Sequence, residues 1–270
     1  MKNLVFILFF IASFSGVASS QPYFFVHLSD PQIGMIDQSL ETKLITNTVS
    51  AINRLHPAFV IVTGDLTNPT GNVEKMEEIK RMLAQVKKEI PVYYVPGNHD
   101  VGQTASDGLI ALFRSKFNSD RFSAVHHNTR LIGINSQILM AKRDTLEQEQ
   151  YQWLENELKK STENEHRFVF AHHPLFLLTV DEMDLNIGIP AKYRKKYVDL
   201  FDKYNVQYMF AGHLHVNHIA HAENLTIVVT NAVCSSRSSD PPGLRTVKVY
   251  PGKVVHDYYS LETLPAKIEL

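Results

Sequence analysis

Asp30-Pro31-Gln32, Gly64-Asp65, Gly97-Asn98-His99-Asp100, His172-His173-Pro174 and Gly212-His213-Leu214-His215 are five clusters of metal-ligating residue types, set far apart in the chain. Brought together, they form a ligand set for two ions about 3.5–4 Å apart, an arrangement that clamps the attacking and phosphoryl oxygens of an in-line displacement. Such a pair needs a shared anion. Asp65 is the bridge in this reading, because it follows Gly64 in a sharp turn that leaves room beside the backbone. Asp30 brings negative charge, Asn98 a neutral carbonyl oxygen, and His172, His213 and His215 imidazole nitrogens. Mixed nitrogen and oxygen donors suit Mn, Fe or Zn better than Ca or Mg. His213 and His215, as alternate residues of an extended segment, are expected to face the same way, with Leu214 turned from them. Any one of these residues alone is an ordinary cap, turn or hydrogen-bonding group; the ordered set is what implies a metal centre.

His99 is the candidate proton donor. With Asp100 expected to hold its other ring nitrogen, His99 and Asp100 together would stabilise or protonate a departing alkoxide. His173 either stands behind the ligands facing phosphate or shapes the loop before Pro174. Cys234, the lone cysteine, reads as a small buried apolar residue rather than a nucleophile.

Each cluster follows or interrupts a β-rich run: Tyr23-Phe24-Phe25-Val26, Phe59-Val60-Ile61-Val62, Val92-Tyr93-Tyr94-Val95, Phe168-Val169-Phe170 and Val206-Gln207-Tyr208-Met209-Phe210. Strands that deliver ligands at their C-terminal ends place them on one sheet edge, where open α/β folds build their sites. Apolar residues at helical spacing over 41–55 and 73–88 predict strand–helix–strand units with right-handed crossovers. Further helices are expected at 108–116, 146–160 and 191–204, and a hairpin over 122–125 and 130–134. Strands at 225–229, 244–250 and 254–259, with turns at Pro241-Pro242-Gly243 and Pro251-Gly252, predict a second, largely antiparallel sheet packed on the first.

The 270 residues are 44% apolar and carry no Pro/Gly/Ser-rich linker, which points to a single domain over residues 21–270. With 27 Lys+Arg against 28 Asp+Glu, no basic excess exists to hold a phosphodiester backbone, and no nucleic-acid partner is expected. Lys2, an apolar run over 4–14 and small residues over 16–20 read as a signal peptide at 1–20. The run is too short to span a bilayer comfortably. A secreted, periplasmic or secretory-lumen protein, without a membrane anchor after cleavage, is the expectation.

The ordered motifs around Asp65, Asn98-His99-Asp100 and His213-Leu214-His215 resemble those of the calcineurin-like metallophosphoesterase superfamily over about residues 23–218. That resemblance implies an α/β fold: a four-layer αββα sandwich with two mixed β-sheets, metallo-dependent phosphatase-like. It implies that Asp30, Asp65 and His215 ligate one ion and Asp65, Asn98, His172 and His213 the other, with His99 at the phosphate or leaving group. It also selects His172 over His173, since the first histidine of the His-x-Pro element binds metal. Gln32 stands where most members carry a histidine, and its amide oxygen is a poorer donor to the first ion. The run Leu28-Ser29-Asp30-Pro31-Gln32-Ile33-Gly34, with the tail segments 240–245 and 255–261, resembles a narrower branch of serine/threonine protein phosphatase type. Asn68 occupies the position of the purple acid phosphatase tyrosine, so no tyrosinate-to-iron colour is expected. The resemblance implies two divalent or mixed-valence transition-metal ions (Mn, Fe or Zn) and a phosphorylated small molecule or phosphoprotein as substrate. The implied reaction is hydrolysis of a phosphate monoester by direct attack of metal-bound hydroxide. A phosphodiesterase or nucleotidase using the same site, and a secreted binding protein with a degenerate first metal site, are the alternatives.

Overall fold

Residues 21–270, apart from 162, 163 and 165, are described by a computed structural model, and the segment read as a signal peptide lies outside them. The amino-terminal half begins with strand and helix in alternation: β1 (Tyr23–Leu28), α1 (Gln38–Leu55), β2 (Val60–Thr63), α2 (Val73–Leu83) and β3 (Val92–Val95). Asp37 caps α1 by accepting from the Ser39 and Leu40 N–H groups, and the helix closes at His56, in the left-handed region, before Pro57. The apolar periodicity over 73–88 outruns α2. Asn53 of α1 explains the early stop: its side chain accepts from Lys87 N–H and donates to Gln85 O, both at about helix-ending positions. Val86 stays buried without being helical.

The chain continues through α3 (Asn98–Val101), α4 (Asp107–Phe117), the hairpin β4 (Phe122–His126) and β5 (Thr129–Gly133), α5 (Gln137–Met140), α6 (Asp144–Lys159), β6 (His166–Phe170), α7 (Ala191–Lys203) and β7 (Tyr208–Ala211). It finishes in β8 (His218–Ala222), β9 (Leu225–Val229), β10 (Gly243–Tyr250) and β11 (Lys253–Ser260). One sheet has the order β11-β10-β1-β2-β3 and the other β4-β5-β6-β7-β9-β8. Both are mixed: β1, β2 and β3 are parallel in the first, β5, β6, β7 and β9 in the second, with antiparallel strands completing each.

This corrects the expectation that the tail forms its own antiparallel sheet. The tail strands divide instead: β9 runs parallel beside β7, while β10 and β11 cover the free edge of β1. Burial explains the division, since β9 and β10 are largely buried on both faces and suit sheet interiors. The edge strand β8 mixes polar and apolar residues on both faces and gave no readable alternation.

Between the sheets lies an aromatic layer. The Phe25 ring stacks on Phe59 in its own sheet, at 4.8 Å between centroids, and meets Phe170 and Phe210 of the other sheet edge-on at 5.9 and 5.6 Å. On the outer faces, Val26, Leu28 and Val62 join Ile45, Val49 and Ile52 of α1 in a larger core that also takes in Leu154 and Leu158 of α6 and Tyr197 and Phe201 of α7. Two mixed sheets face to face with helices outside give the α/β sandwich. Among the described residues no helix is long and apolar enough to cross a membrane.

Candidate metal centre

Five parallel strands stop just before their candidate ligands. β1 yields to Ser29-Asp30, β2 to Gly64-Asp65, β3 to Pro96-Gly97-Asn98, β6 to Ala171-His172 and β7 to Gly212-His213. The first three come from one sheet and the last two from the other, so the centre spans the mouth of the sandwich. The backbone leaves the extended region abruptly: φ is 51° at Asp30, 40° at Gln32, 48° at Asp65, 67° at His213 and 56° at His215. Sparsely populated backbone of this kind costs about 1–3 kcal/mol per residue and persists where surrounding structure holds it, commonly at functional sites. His213 and His215 are therefore not alternate residues of an extended segment, as expected from their spacing. A tight bend, with Leu214 N–H bonded to Gly212 O at 2.8 Å, sends the two rings to different partners while Leu214 packs partly on the core.

Glycine matters at two close approaches. A Cβ on Gly97 would run into the Asp65 carboxylate, and one on Gly212 into the Ser29 hydroxyl and the Asp30 carboxylate. Gly97→Ala should therefore push Asp65 aside, lower stability by about 1–3 kcal/mol as overpacking does, and weaken Mn²⁺ binding. Thermal unfolding beside an Mn²⁺ titration measures both, and parental values in each would show that the gap is wider than these contacts imply.

The imidazole donors are oriented by carbonyls. His172 gives its Nδ1–H to Thr63 O at 2.8 Å, so its Nε2 lone pair faces Asp65 Oδ2 at 3.3 Å, Asn98 Oδ1 at 3.1 Å and His213 Nδ1 at 3.2 Å. His215 gives its Nδ1–H to Ser235 O at 2.6 Å, leaving Nε2 3.3 Å from Asp30 Oδ1. Asp30 Oδ2 accepts from the Ser29 hydroxyl and from His213 N–H at 3.0 Å, whereas its Oδ1 is buried without a hydrogen bond. Asp65 Oδ1 accepts from His99 N–H at 2.8 Å, and its Oδ2 turns inward. Gln32 is buried, with Nε2 3.5 Å from Asp65 Oδ2 and Oε1 unpartnered.

Buried acceptors facing one another without a donor are unfavourable unless a cation sits among them. The donors present fit metal: Asp30, Asp65 and His172 form one group of ligand atoms close enough to hold an ion, and His172, His173 and His213 another. Electrostatics agree. Burial alone would raise the Asp30 carboxyl, but the His172 and His215 rings hold it well below the usual range. Burial disfavours a charged His172, yet the Asp65 and Asp30 carboxylates outweigh it and push the ring up to about 9. Burial and His172 together depress His213 to about 4. The carboxylates draw positive charge, and the crowded imidazoles are unable to supply all of it as protons.

His99 lies at the rim, its side chain 32% exposed and its Nε2 4.0 Å from Asp65 Oδ2. Its other nitrogen is held by Asn68 Oδ1 at 2.8 Å, not by Asp100 as expected. The Asp100 carboxylate instead accepts from Gly97 N–H at 2.8 Å and Leu66 N–H at 2.9 Å, tying the start of α3 to the turn after Asp65. Burial, then the neighbouring Asp65, raise Asp100 to about 7. His173, left open by the sequence, is buried with its Nδ1 3.1 Å from Ser136 Oγ and its ring 4.2 Å from that of His213. Ser136 Oγ also accepts the His173 N–H at 2.9 Å. Glu41 fixes the loop beyond Gln32 by accepting from the Gly34, Met35, Ile36 and Asp37 N–H groups at 2.6–3.3 Å. Thr63, Asn68, Ser136, Ser235 and Glu41 were not singled out as site partners from the sequence. Only Asn68 and Thr63, beside the Gly64-Asp65 turn, carried a positional signal.

The calcineurin-like phosphoesterase family matches this chain over residues 24–217. Serine/threonine-protein phosphatase CPPED1 of Homo sapiens is 34% identical over 270 residues, covering 91% of this chain and 86% of that protein. A probable glycerophosphodiester phosphodiesterase, GpdQ of Arcobacter nitrofigilis, is 32% identical over 188 residues, or 64% of this chain and 63% of that protein. Among solved structures, purple acid phosphatase PPD1 from yellow lupin seeds superposes with a TM-score of 0.70 at 13% identity, covering 91% of this chain and 52% of that one. That last likeness is one of fold.

Proposed function

The chain belongs to the calcineurin-like phosphoesterase family, and from that premise we propose that it is a metal-dependent hydrolase of phosphate monoesters. Membership implies divalent metal ions and a phosphorylated substrate; protein phosphoserine and phosphothreonine are the candidates suggested by the CPPED1 relatives. The observation that carries the reading is the buried, unpartnered Asp30 Oδ1, which faces the His215 and His172 imidazoles, whose tautomers are fixed by carbonyls.

Asp30, Asp65, His215 and Gln32 would hold one ion and Asp65, Asn98, His172 and His213 the other, with Mn, Fe or Zn suited to these donors. Bound there, the ions would supply Lewis-acid polarisation of phosphoryl oxygens and acidification of water. The remaining work falls to the protein. Asn68 Oδ1 accepts from His99 Nδ1–H, so in the imidazolium form of the ring it is the Nε2 proton that would pass to the departing alkoxide, leaving the neutral Nδ1–H tautomer. His173 has a ring nitrogen within 4.8 Å of those of His172 and His213 and would serve a phosphoryl oxygen or an ion held there. Burial pushes the Cys234 thiol well above its usual value, which disfavours a thiolate nucleophile. The export expectation for residues 1–20 is part of the proposal; amino-terminal sequencing of the protein recovered from its native host tests it, and a retained Met1 would reject it.

With Mn²⁺ supplied, the purified protein should turn over p-nitrophenyl phosphate faster than its bis-ester. A reproducible reversal would transfer the assignment to a phosphodiesterase, the reading favoured by the GpdQ relative. Binding of metal and phosphate without cleavage of any phosphopeptide, nucleotide or sugar phosphate would leave the binding-protein alternative.

A further inference from the structure

Among the described residues, the large apolar side chains most open to solvent are Met183, Ile36 and Leu178, at 84%, 77% and 73% exposed. Scattered exposed apolar residues are ordinary. These are set apart by where they stand and how they are held. Ile36 lies four residues past Gln32 and Leu178 four past Pro174, so each sits on a loop leaving a turn that carries candidate ligands, within a chain reach of about 14 Å. Met183 is farther along the second loop.

Each loop is tied from inside by one carboxylate. Glu41 accepts from the Gly34, Met35, Ile36 and Asp37 N–H groups, with Ile36 N–H at 2.7 Å. Glu182 accepts from Leu177, Leu178 and Thr179, with Leu178 N–H at 2.7 Å. The buried Arg194 adds bonds to the carbonyls of Val180, Glu182, Met183 and Ile189, and Ile189 N–H returns the second loop to Pro174 O at 3.0 Å. Backbone groups are thus engaged inward while the side chains of Ile36 and Leu178 are held outward. Both loops also lean on the segment 215–218: the Ser235 hydroxyl contacts Met35 Sδ at 3.6 Å while Ser235 O holds His215, and His218 Nε2–H donates to Leu177 O at 2.6 Å. Three residues span at most about 10 Å, so the loops flank the same side of the metal centre.

We infer that Ile36 and Leu178 form an apolar rim that takes apolar side chains flanking the phosphorylated residue of a phosphopeptide. This deepens the hydrolase reading and rests on it. A small phosphorylated metabolite ends close to its phosphate, whereas an extended peptide continues outward, and its alternate side chains turn back toward the protein about 7 and 13 Å from the phosphorylated residue. That span matches the reach of the two loops. Side chains displayed on a backbone already fixed bind with less ordering cost. Exposed carboxylates on the same loops, Asp37 and Asp181, disfavour the anionic surface of a bilayer as the occupant.

Two phosphoserine peptides test the rim with Mn²⁺ and the purified protein: one carries leucine at the second and fourth positions on each side of the phosphoserine, the other serine there. The leucine peptide should be favoured about 10-fold or more in kcat/KM, chiefly through KM, as contacts made equally in ground and transition states act. In the Ile36→Ser, Leu178→Ser double variant the ratio should fall toward 1. Equal kcat/KM in the parent, or an undiminished ratio in the double variant, would overturn the rim. If p-nitrophenyl phosphate is cleaved and neither peptide is, the monoesterase reading stands and the rim falls. If nothing is cleaved, the hydrolase reading fails, and the rim is judged by calorimetric binding of the two peptides, where equal affinity would overturn it. Flotation with phosphatidylserine vesicles, or a dimer that dissociates in the double variant, would give this surface to a bilayer or to a second copy and overturn the peptide assignment.

Discussion

Asp65→Ala should lose both ions and lower kcat/KM by more than the about 10²- to 10⁴-fold that one positioned acid or base supplies. Asp65 Oδ2 is the carboxylate oxygen that faces both ligand groups: it lies 3.3 Å from His172 Nε2 and 3.5 Å from the Gln32 amide. Asp30→Ala should instead weaken mainly the side shared with His215, whose Nε2 faces Asp30 Oδ1. His172→Ala should weaken mainly the side shared with Asn98 and His213. Elemental analysis of each purified variant reads the difference. Two ions at saturation in Asp65→Ala would rule out the bridge, whatever happened to turnover.

His99→Ala should keep both ions and still lose about 10²- to 10⁴-fold in turnover. The reason it keeps them is structural: Asp65 is held by the His99 backbone N–H, which alanine retains, and not by the ring. The ring serves the leaving group, so the loss should be steepest for esters of poor alkoxide leaving groups and mildest for p-nitrophenyl phosphate, whose phenolate departs with little protonation. Asn68→Ala should reproduce part of the effect by releasing Nδ1. Kinetics across a leaving-group series decide the role: an equal loss for good and poor leaving groups would make His99 a phosphate-positioning residue.

The sequence displays the candidate ligands more openly than the pairing of the strands that carry them. Ligand types at strand ends are visible because glycine and the short polar runs stand out against apolar strands, and the structure brings Asp30, Asp65, Asn98, His172, His213 and His215 into one cluster. Their orienters were hidden. Thr63, Ser235 and Ser136 act through a carbonyl or a single hydroxyl, and any residue type offers a carbonyl, so nothing in composition marks them. The same limit misplaced Asp100, whose neighbour in sequence is His99 but whose partners in space are two backbone N–H groups. The longer helices were legible from their apolar spacing, whereas the four-residue α3 and α5 are too short to show a period; the stop of α2 was hidden because Asn53 imposes it from another helix. Tail strands were visible as strands, yet no local pattern distinguishes one that joins a distant sheet from one that pairs with its neighbour.

That distant joining sets an order in time. β1, the strand that leads into Asp30, lies inside its sheet only because β10 pairs with it, Tyr23 opposite Val249 and His27 opposite Arg245. A nascent chain exposes the early half long before those partners exist, and contacts of such long sequence separation form late and slowly. The strands and helices on the amino-terminal side have local partners for their first approach, but the edge of β1 has none until the carboxy-terminal hairpin arrives. Synthesis thus leaves the edge of β1 beside Asp30 uncovered until β10 has been made, and closure of the site waits on that strand.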